Sequence, residues 1–251
     1  MTCGDEIESG FSAERLERLS EIEGWHFWFV GRRQLLDRLL KRYAKGRPQL
    51  VLDIGCGTAF TSRALAQHGH RVVALDRRPE GLRSRRQDTD APALLQAEAT
   101  SLPLRDSVFD VVMLLDVLEH VDDGAVLREV ARVLRPDGLA LVTVPALPWL
   151  WSYRDEAAGH LRRYTRQQLV HELGRARLQT VYVSFYECLL LPLVMLTRLF
   201  GRRGPGLRDR EDSPHPLANA LLLWINRLEV WLGSVIRWPI GSSLVVVCRK
   251  V

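Results

Sequence analysis

A glycine-rich segment beside an acidic residue is the part of the sequence best suited to chemistry. Gly55 and Gly57 follow the apolar stretch 49–54, and Asp53 stands just before them. Two glycines allow a tight turn and a close approach of a ligand to the backbone. The stretch 59–68 has a helical pattern, and the N–H groups at the start of a helix would point at the same place. The segment therefore predicts a ligand-binding loop between a strand and a helix.

The acidic residues of this region indicate the kind of ligand. Asp76 ends the next apolar stretch, where a carboxylate can accept hydrogen bonds from two ribose hydroxyls. Asp53 would repel a pyrophosphate but attract a sulfonium or an ammonium group. The third glycine of a dinucleotide-binding loop is also absent, since Ala59 and Phe60 occupy that region. Together these residues favour an adenosine compound that carries a positive charge.

The spacing of apolar residues predicts the elements that position these groups. Strands are predicted at 49–54, 71–75, 93–96, 109–115, 139–144, 181–185 and 243–248. Helices are predicted at 12–44 (interrupted near Gly24 and Gly31), at 59–68, 79–87 and 122–134, after the capping residue Thr165, and at 186–200 and 216–235. Alternating strands and helices imply a largely parallel sheet covered on both faces. We predict one α/β domain with a Rossmann-like, doubly wound, seven-stranded sheet. Its segments are an N-terminal helical cap (1–48), a cofactor-binding core (49–185), a helical insertion (186–241) and the last strand (242–251).

Composition excludes several other classes of protein. The 251 residues carry a net charge of +5 and are 47% hydrophobic, which suits a globular domain with a sizeable core. The arginines are spread along the chain and not gathered with aromatic residues, so nucleic acid is not an expected partner. The four cysteines are widely separated in the sequence, at Cys3, Cys56, Cys188 and Cys248. This spacing is typical of reduced thiols in a cytoplasmic protein. No signal peptide or bilayer-spanning segment is predicted.

Several motifs together resemble one enzyme family. They are Asp-Ile-Gly-Cys-Gly-Thr at 53–58, Phe-Asp-Val-Val at 109–112, Asp-Val-Leu-Glu-His at 116–120 and Arg-Val-Leu-Arg-Pro-Asp-Gly at 132–138. This set resembles the class I S-adenosylmethionine-dependent methyltransferases, in particular the methyltransferase type 11 group. Trp-His-Phe-Trp-Phe at 25–29, with Arg32, Arg33 and the segment 160–165, is similar to a bacterial subgroup whose substrates are largely undefined.

The resemblance implies S-adenosyl-L-methionine as cofactor and S-adenosyl-L-homocysteine as product. It implies eight cofactor-binding residues, which hold the methionine part (Asp53, Gly55, Gly57), the ribose (Asp76) and the adenine (Glu98, Ala99) and close the pocket (Leu115, Asp116). Two positions depart from the family pattern. Ala59 stands where glycine is common, and Glu98 stands where aspartate is usual, so the contacts at the adenine edge are the least defined.

The acceptor side is predicted from aromatic, basic and histidine residues. An oxygen acceptor must lose a proton, and His120, His160 or His26 could serve as the base. A loop is predicted at 145–164, after the fifth strand. It supplies the candidate acceptor-binding residues Trp151, Tyr153, Arg162, Arg163 and Tyr164, of which the two arginines could clamp an anionic group or be solvated charges. Asp116, Glu119 and His120 could bind Mg²⁺, but the same sequence is widespread in metal-independent relatives, so no metal is predicted.

The expected function is methyl transfer to a small-molecule or lipid-linked acceptor, with oxygen preferred. The alternatives are a cofactor-binding protein without transferase activity and an NAD-dependent oxidoreductase. The helices at 186–200 and 216–235 are apolar with tryptophans and arginines nearby, a pattern typical of contact with a membrane surface. They could equally pack on each other, on the sheet or in a dimer, and the oligomeric state is left open.

Overall fold

A computed structural model describes residues 13–44, 47–78, 91–200, 214–233 and 235–251. Its helices are α1 (Ala13–Ile22), α2 (Phe27–Tyr43), α3 (Phe60–Gln67), α4 (Asp123–Val133), α5 (Tyr153–Ala158), α6 (Arg166–Arg175), α7 (Leu191–Phe200) and α8 (Pro216–Leu232). Its strands are β1 (Leu50–Ile54), β2 (Arg71–Asp76), β3 (Ala93–Gln96), β4 (Phe109–Leu115), β5 (Leu134–Pro145), β6 (Leu178–Tyr186) and β7 (Ser243–Lys250). Single turns of 3₁₀ helix lie at Leu118–His120 and Pro148–Leu150. The predicted helix at 79–87 and Cys3 lie outside the described residues.

The seven strands form one sheet in the order β3-β2-β1-β4-β5-β7-β6. The predicted α/β, doubly wound, seven-stranded fold is confirmed. The strands from β1 to β5 run parallel to one another, whereas β7 runs antiparallel to both β5 and β6. The chain leaves β1 for β2 and β3 on one side and later returns to β4 on the other. The carboxyl ends of β1 and β4 therefore border a topological switch point, where ligands bind in such sheets.

Two apolar cores cover the faces of the sheet. One face packs against α4 and α6 through residues such as Leu127 and Leu169. The other packs against α2 and α3, with Leu36 and Leu65 among its members. Residues of β1 and β4 have almost no exposed surface, as expected for central parallel strands covered on both sides. The ends of these strands are thereby held rigidly.

Two local predictions needed correction. Gly31 does not interrupt the N-terminal helical region, because it lies within α2. The interruption lies between Ile22, where α1 ends, and Phe27, where α2 begins. A Cβ built on Gly31 would lie 2.8 Å from Asn226 Nδ2 and from Tyr186 Oη, so this glycine lets α2 and α8 approach closely. The segment 145–164 is not a simple loop either. It contains α5, which Ser152 and Asp155 begin with a reciprocal capping box.

Candidate functional site

The glycine turn at the end of β1 is tight and open on one side. Gly55 and Gly57 have φ angles of 71° and 54°, which glycine adopts without strain. A Cβ built on Gly55 would lie 2.5 Å from Val117 Cγ2, whereas one on Gly57 would meet no atom within 4 Å. Gly55 is therefore required by packing, and Gly57 leaves space beside the backbone. This space is a cradle that a ligand could fill.

Two carboxylates flank the glycine turn. Asp53 is buried and accepts a hydrogen bond of 2.5 Å from Ser62 Oγ. Burial raises its pKa to about 6, although the Ser62 hydrogen bond opposes this shift. Asp76 accepts hydrogen bonds of 2.9 Å from the backbone N–H groups of Gly57 and Arg78. Its oxygens still have lone pairs for further donors. A buried acid and a loop-bridging acid thus border the same turn.

The remaining predicted cofactor-binding residues follow the neighbouring strands. The backbone N–H of Ala97 donates to Asp76 O, which places the Glu98–Ala99 segment beside the end of β2. Glu98 is exposed and Ala99 is half-buried. Leu115 is the last residue of β4, and Asp116 follows it with a φ of 59°. The eight predicted residues therefore lie along the carboxyl edge of β1 to β4. Their carboxylates can accept hydrogen bonds from a ribose and attract a positively charged group.

The N-terminal segment contacts both ends of this edge. Arg32 Nη1 forms an ion pair with Asp116 Oδ2, and its guanidinium lies 4.1 Å from the centre of the Trp28 ring. Near the glycine turn, Glu23 accepts hydrogen bonds from Thr58 Oγ1 and from Arg63, the latter at 3.1 Å. These contacts place the aromatic segment 25–29 beside the predicted cofactor site.

His26, a predicted base, has a structural role in this segment. Its Nδ1 accepts the backbone N–H of Trp28 at 3.2 Å and caps α2, and its side chain is buried. A ring nitrogen that accepts a capping hydrogen bond is not available to take a proton from a substrate. Nδ1 of His26 is therefore occupied by the helix cap, and a role of His26 as base stays a prediction.

The other two histidines lie together. Their rings are 4.9 Å apart, edge to face. His160 Nδ1 is 2.9 Å from Asp155 Oδ1, and His120 Nδ1 is 3.2 Å from the carbonyl of Gly159. Because both partners can only accept, each histidine donates through Nδ1. The tautomer of His160 is fixed in this way, with Nε2 as its basic nitrogen.

The pKa values of the two carboxyl groups beside the histidines, those of Asp155 and Glu119, are shifted in opposite directions. Burial opposes ionisation of Asp155, but the His160 hydrogen bond and the Arg163 charge hold its pKa well below the usual range. Burial, with a contribution from Asp116, raises the pKa of Glu119 well above its usual value. Neither carboxyl oxygen of Glu119 has a hydrogen-bond partner in the described part of the chain. Glu119 Oε1 lies 4.0 Å from His160 Nε2, so a neutral acid faces the basic nitrogen.

The structure assigns internal partners to three of the predicted acceptor-binding residues. Arg163 is buried and donates to Asp155 and to the Ala146 carbonyl, both at 2.7 Å. Tyr164 is buried and donates to Asp123 Oδ2 at 2.9 Å. Both residues therefore support the fold of the segment 145–164, hereafter the acceptor segment, and the anion clamp at Arg163 stays a prediction. Arg162 pairs with Asp123 at 3.0 Å but keeps 36% of its side chain exposed.

The two aromatic acceptor-binding candidates lie just before these residues. Trp151 is exposed, and Tyr153 is half-buried. The hydroxyl of Tyr153 is buried and has no hydrogen-bond partner among the residues described. Both remain candidates for contact with the acceptor.

The possible metal ligands differ from those considered in the sequence. Glu119, His120 and His160 offer ligand atoms that lie within 4.8 Å of one another. Asp116 is not part of this group, because it is held by Arg32 and accepts a hydrogen bond of 3.0 Å from Thr143 Oγ1. A carboxylate and two imidazoles could hold a divalent cation.

Sequence reasoning named Glu119 only as a possible metal ligand, and it predicted neither the Asp155–His160 contact nor the Glu119–His160 contact. The Ser152–Asp155 capping pattern signals the start of a helix, and this signal could have replaced the loop prediction. The pairing of Asp155 with His160, Arg163 and Arg198 depends on the folding of the whole segment. The proximity of Glu119 to His160 joins two segments that are distant in sequence.

Comparisons with known proteins identify the family. A family model described as a methyltransferase domain matches residues 52–142. A malonyl-[acyl-carrier protein] O-methyltransferase of Pseudescherichia vulneris is 30% identical over 169 residues, which are 62% of this chain and 67% of the relative. The chain belongs to the class I S-adenosylmethionine-dependent methyltransferases. Its cofactor is therefore S-adenosylmethionine, and the NAD-dependent alternative is wrong.

Other relatives of this methyltransferase are less informative about its substrate. An uncharacterized methyltransferase of Mycobacterium tuberculosis is 31% identical over 66% of the chain, and the chain spans 52% of that relative. A probable S-adenosylmethionine-dependent methyltransferase of the same species is 28% identical over 78% of the chain and 66% of its own length. A methyltransferase solved in complex with the Trm112 activator of Haloferax volcanii has a TM-score of 0.62. It covers 95% of this chain and 93% of its own at 18% identity, which shows the shared fold.

Proposed function

We propose that the protein transfers a methyl group from S-adenosylmethionine to a hydroxyl oxygen of a small-molecule or lipid-linked acceptor. The cofactor supplies a methyl group on a positively charged sulfur, which is already activated. The protein must then bind it, exclude water and align the acceptor with the carbon–sulfur bond. The observation that carries the choice of oxygen is the Asp155–His160 pair beside Glu119.

The cofactor is proposed to lie along the carboxyl edge of β1 to β4. Asp53 and the glycine turn would hold the methionine part, since the ionised carboxylate attracts its ammonium group. Asp76 would bind the ribose hydroxyls. Glu98, Ala99, Leu115 and Asp116 would border the adenine and close the pocket. The space beside Gly57 and the raised pKa of Asp53 support this arrangement, because a buried acid without a cation carries an ionisation cost.

His160 is proposed as the base that removes the proton of the acceptor hydroxyl. The Asp155 carboxylate orients the ring and stabilises the imidazolium that forms, as a carboxylate does in other histidine-based sites. A neutral Glu119 would not hold Nε2 in an ion pair. A carboxylate acceptor would need no base, so the ordered histidine favours a hydroxyl. The relatives named as malonyl-[acyl-carrier protein] O-methyltransferases support oxygen as the acceptor atom in general.

The product of labelled methyl transfer tests the proposal. Purified protein is incubated with methyl-labelled S-adenosylmethionine and, separately, a bacterial lipid extract, a small-molecule extract and malonyl-acyl carrier protein. A hydroxyl acceptor gives a methyl ether that alkali does not cleave. Release of labelled methanol by alkali would show a methyl ester and refute the hydroxyl assignment. Transfer to none of the three acceptor pools, with S-adenosylhomocysteine still bound, would favour the cofactor-binding alternative.

The role of His160 is tested with a matched pair of histidine variants. His160→Asn should lower kcat by about a hundredfold or more, since general bases contribute on this scale, and leave S-adenosylhomocysteine affinity unchanged. His171 is exposed on α6, and His171→Asn serves as the control. Equal kcat values in the two variants would remove His160 from the mechanism.

The sequence-based expectation of a cytoplasmic location stays a proposal. Within the described ranges, no helix combines the length and the apolar character needed to cross a membrane.

A further inference from the structure

Helix α8 packs with its polar side chains inward. Asn219, Asn226 and Glu229 are buried. Asn219 bonds the backbone N–H of Phe27 at 2.8 Å, and Asn226 Nδ2 donates to the Phe27 carbonyl at 3.2 Å. Glu229 accepts the N–H groups of Cys188 and Leu189 at 3.0 and 2.9 Å. The polar face of α8 is thus used to attach the helix to the protein.

The opposite face of α8 is apolar and exposed. Leu217, Leu221, Trp224 and Trp231 are each at least 59% exposed. At 3.6 residues per turn, these four side chains fall within an arc of about 80°. An amphipathic helix of a globular protein normally buries such a face. The arrangement is inverted here, since the apolar face of α8 is the more exposed one within the described chain.

Exposed apolar side chains also lie on elements that are joined to α8, directly or in turn, by hydrogen bonds. The Glu229 contacts join the end of α8 to the start of α7, where Leu189, Leu193 and Leu196 are exposed. At the other end of α7, Arg198 donates to the Leu150 carbonyl and to Asp155. This contact brings α7 beside the acceptor segment, in which Trp149 and Trp151 are exposed. We name the surface formed by α7, α8 and these two tryptophans the α7–α8 face.

The charges of this region identify its partner. Between residue 187 and the C-terminus, the described acidic residues are Glu187 and Glu229, and both are buried. Arg227 and Arg237 are exposed in the same region. The described side chains from residue 187 onward therefore offer apolar groups, tryptophans and cations to solvent, but no exposed carboxylate. Tryptophans and arginines beside an apolar helix face fit the interface of an anionic bilayer.

We propose that the α7–α8 face docks on an anionic lipid bilayer, with the apolar face of α8 in the interfacial layer. The acceptor segment adjoins this face, so docking would place the candidate base site close to lipid-borne acceptors. The inference concerns binding and does not depend on the reaction proposed above. Arg202 and Arg203, which contributed to the sequence-based expectation of membrane contact, lie outside the described residues.

Vesicle flotation with matched double variants tests the proposal. Leu221→Glu/Trp224→Glu places two charges on the apolar face. Gln167→Glu/His171→Glu places two charges about one helical turn apart on the exposed side of α6 and serves as the control. Vesicles contain phosphatidylcholine alone or an equal mixture with phosphatidylglycerol, at low and high salt. Circular dichroism and size-exclusion chromatography check that each variant is folded.

The unmodified protein should float with the phosphatidylglycerol vesicles at low salt and less with phosphatidylcholine alone or at high salt. The α8 variant should bind at least tenfold more weakly, and the α6 control should bind like the unmodified protein. Failure of the unmodified protein to float, or equal binding by the two variants, would overturn the proposal. A dimer that the α8 variant alone dissolves, without flotation, would instead assign the face to a second copy of the chain.

Discussion

Replacing Asp53 with asparagine separates the effect of this carboxylate on folding stability from its contribution to ligand binding. Burial raises its pKa from 3.8 to about 6, a shift of about two units. Each unit corresponds to about 1.4 kcal/mol, so the buried charge destabilises the free protein by about 3 kcal/mol near neutral pH. This shift already includes the stabilising Ser62 hydrogen bond to the charged form, and asparagine, like the neutral acid, can still accept that bond. Asp53→Asn should therefore raise the free energy of unfolding by about 3 kcal/mol near neutral pH.

The raised pKa of Asp53 also predicts how the free energy of unfolding changes with pH. Between about pH 4 and pH 6, the folded protein keeps the Asp53 proton while the unfolded chain releases it. The unfolded state then binds fewer protons, so this residue lowers stability as pH rises through the window. The stability difference between Asp53→Asn and the unmodified protein should be smallest below pH 4. It should grow through the window and stay constant above about pH 6.

The assay is urea unfolding of both proteins at several pH values, combined with calorimetric titration of S-adenosylhomocysteine. The variant should be more stable without ligand but bind it more weakly, since the ammonium group loses its partner. Asp137→Asn is the control, because Asp137 is exposed and asparagine tolerates its φ of 62°. An Asp53→Asn protein that is less stable than the unmodified protein at neutral pH, or that binds ligand equally well, would refute the reasoning.

Three further predictions concern the loop, the α2–α8 contact and the histidine pair. Asp76→Ala should weaken S-adenosylhomocysteine binding by about 2–3 kcal/mol while the protein stays folded, and unchanged affinity in calorimetry would contradict the assignment. Gly31→Ala should lower the free energy of unfolding by about 1–3 kcal/mol, because its Cβ meets α8. Gly24→Ala, where a Cβ meets no atom within 4 Å, should change it by less than about 0.5 kcal/mol in the same urea titration. Zn²⁺ should inhibit methyl transfer by occupying Glu119 and His160, and a chelator should restore it. A rate that a chelator alone abolishes would show that the reaction needs a metal.

The sequence by itself determined the features that depend on neighbouring residues. The glycine turn after β1 was predictable because left-handed φ angles and a following helix leave a local mark in residue type. The central strands β1 and β4 were predictable because buried parallel strands are nearly continuous apolar runs. Thr165 and Gln168 predicted the capping box of α6, and it is present.

Tertiary structure decided which distant groups meet. No local pattern indicates that Arg32 pairs with Asp116, or that Glu119 faces His160. The antiparallel direction of β7 depends on how the insertion returns the chain to the sheet. The pKa shifts of Asp53 and Glu119 arise from burial, which the fold alone creates. The inverted α8 is the same kind of case, because its sequence gives the periodicity of two faces and only packing decides which face is turned inward.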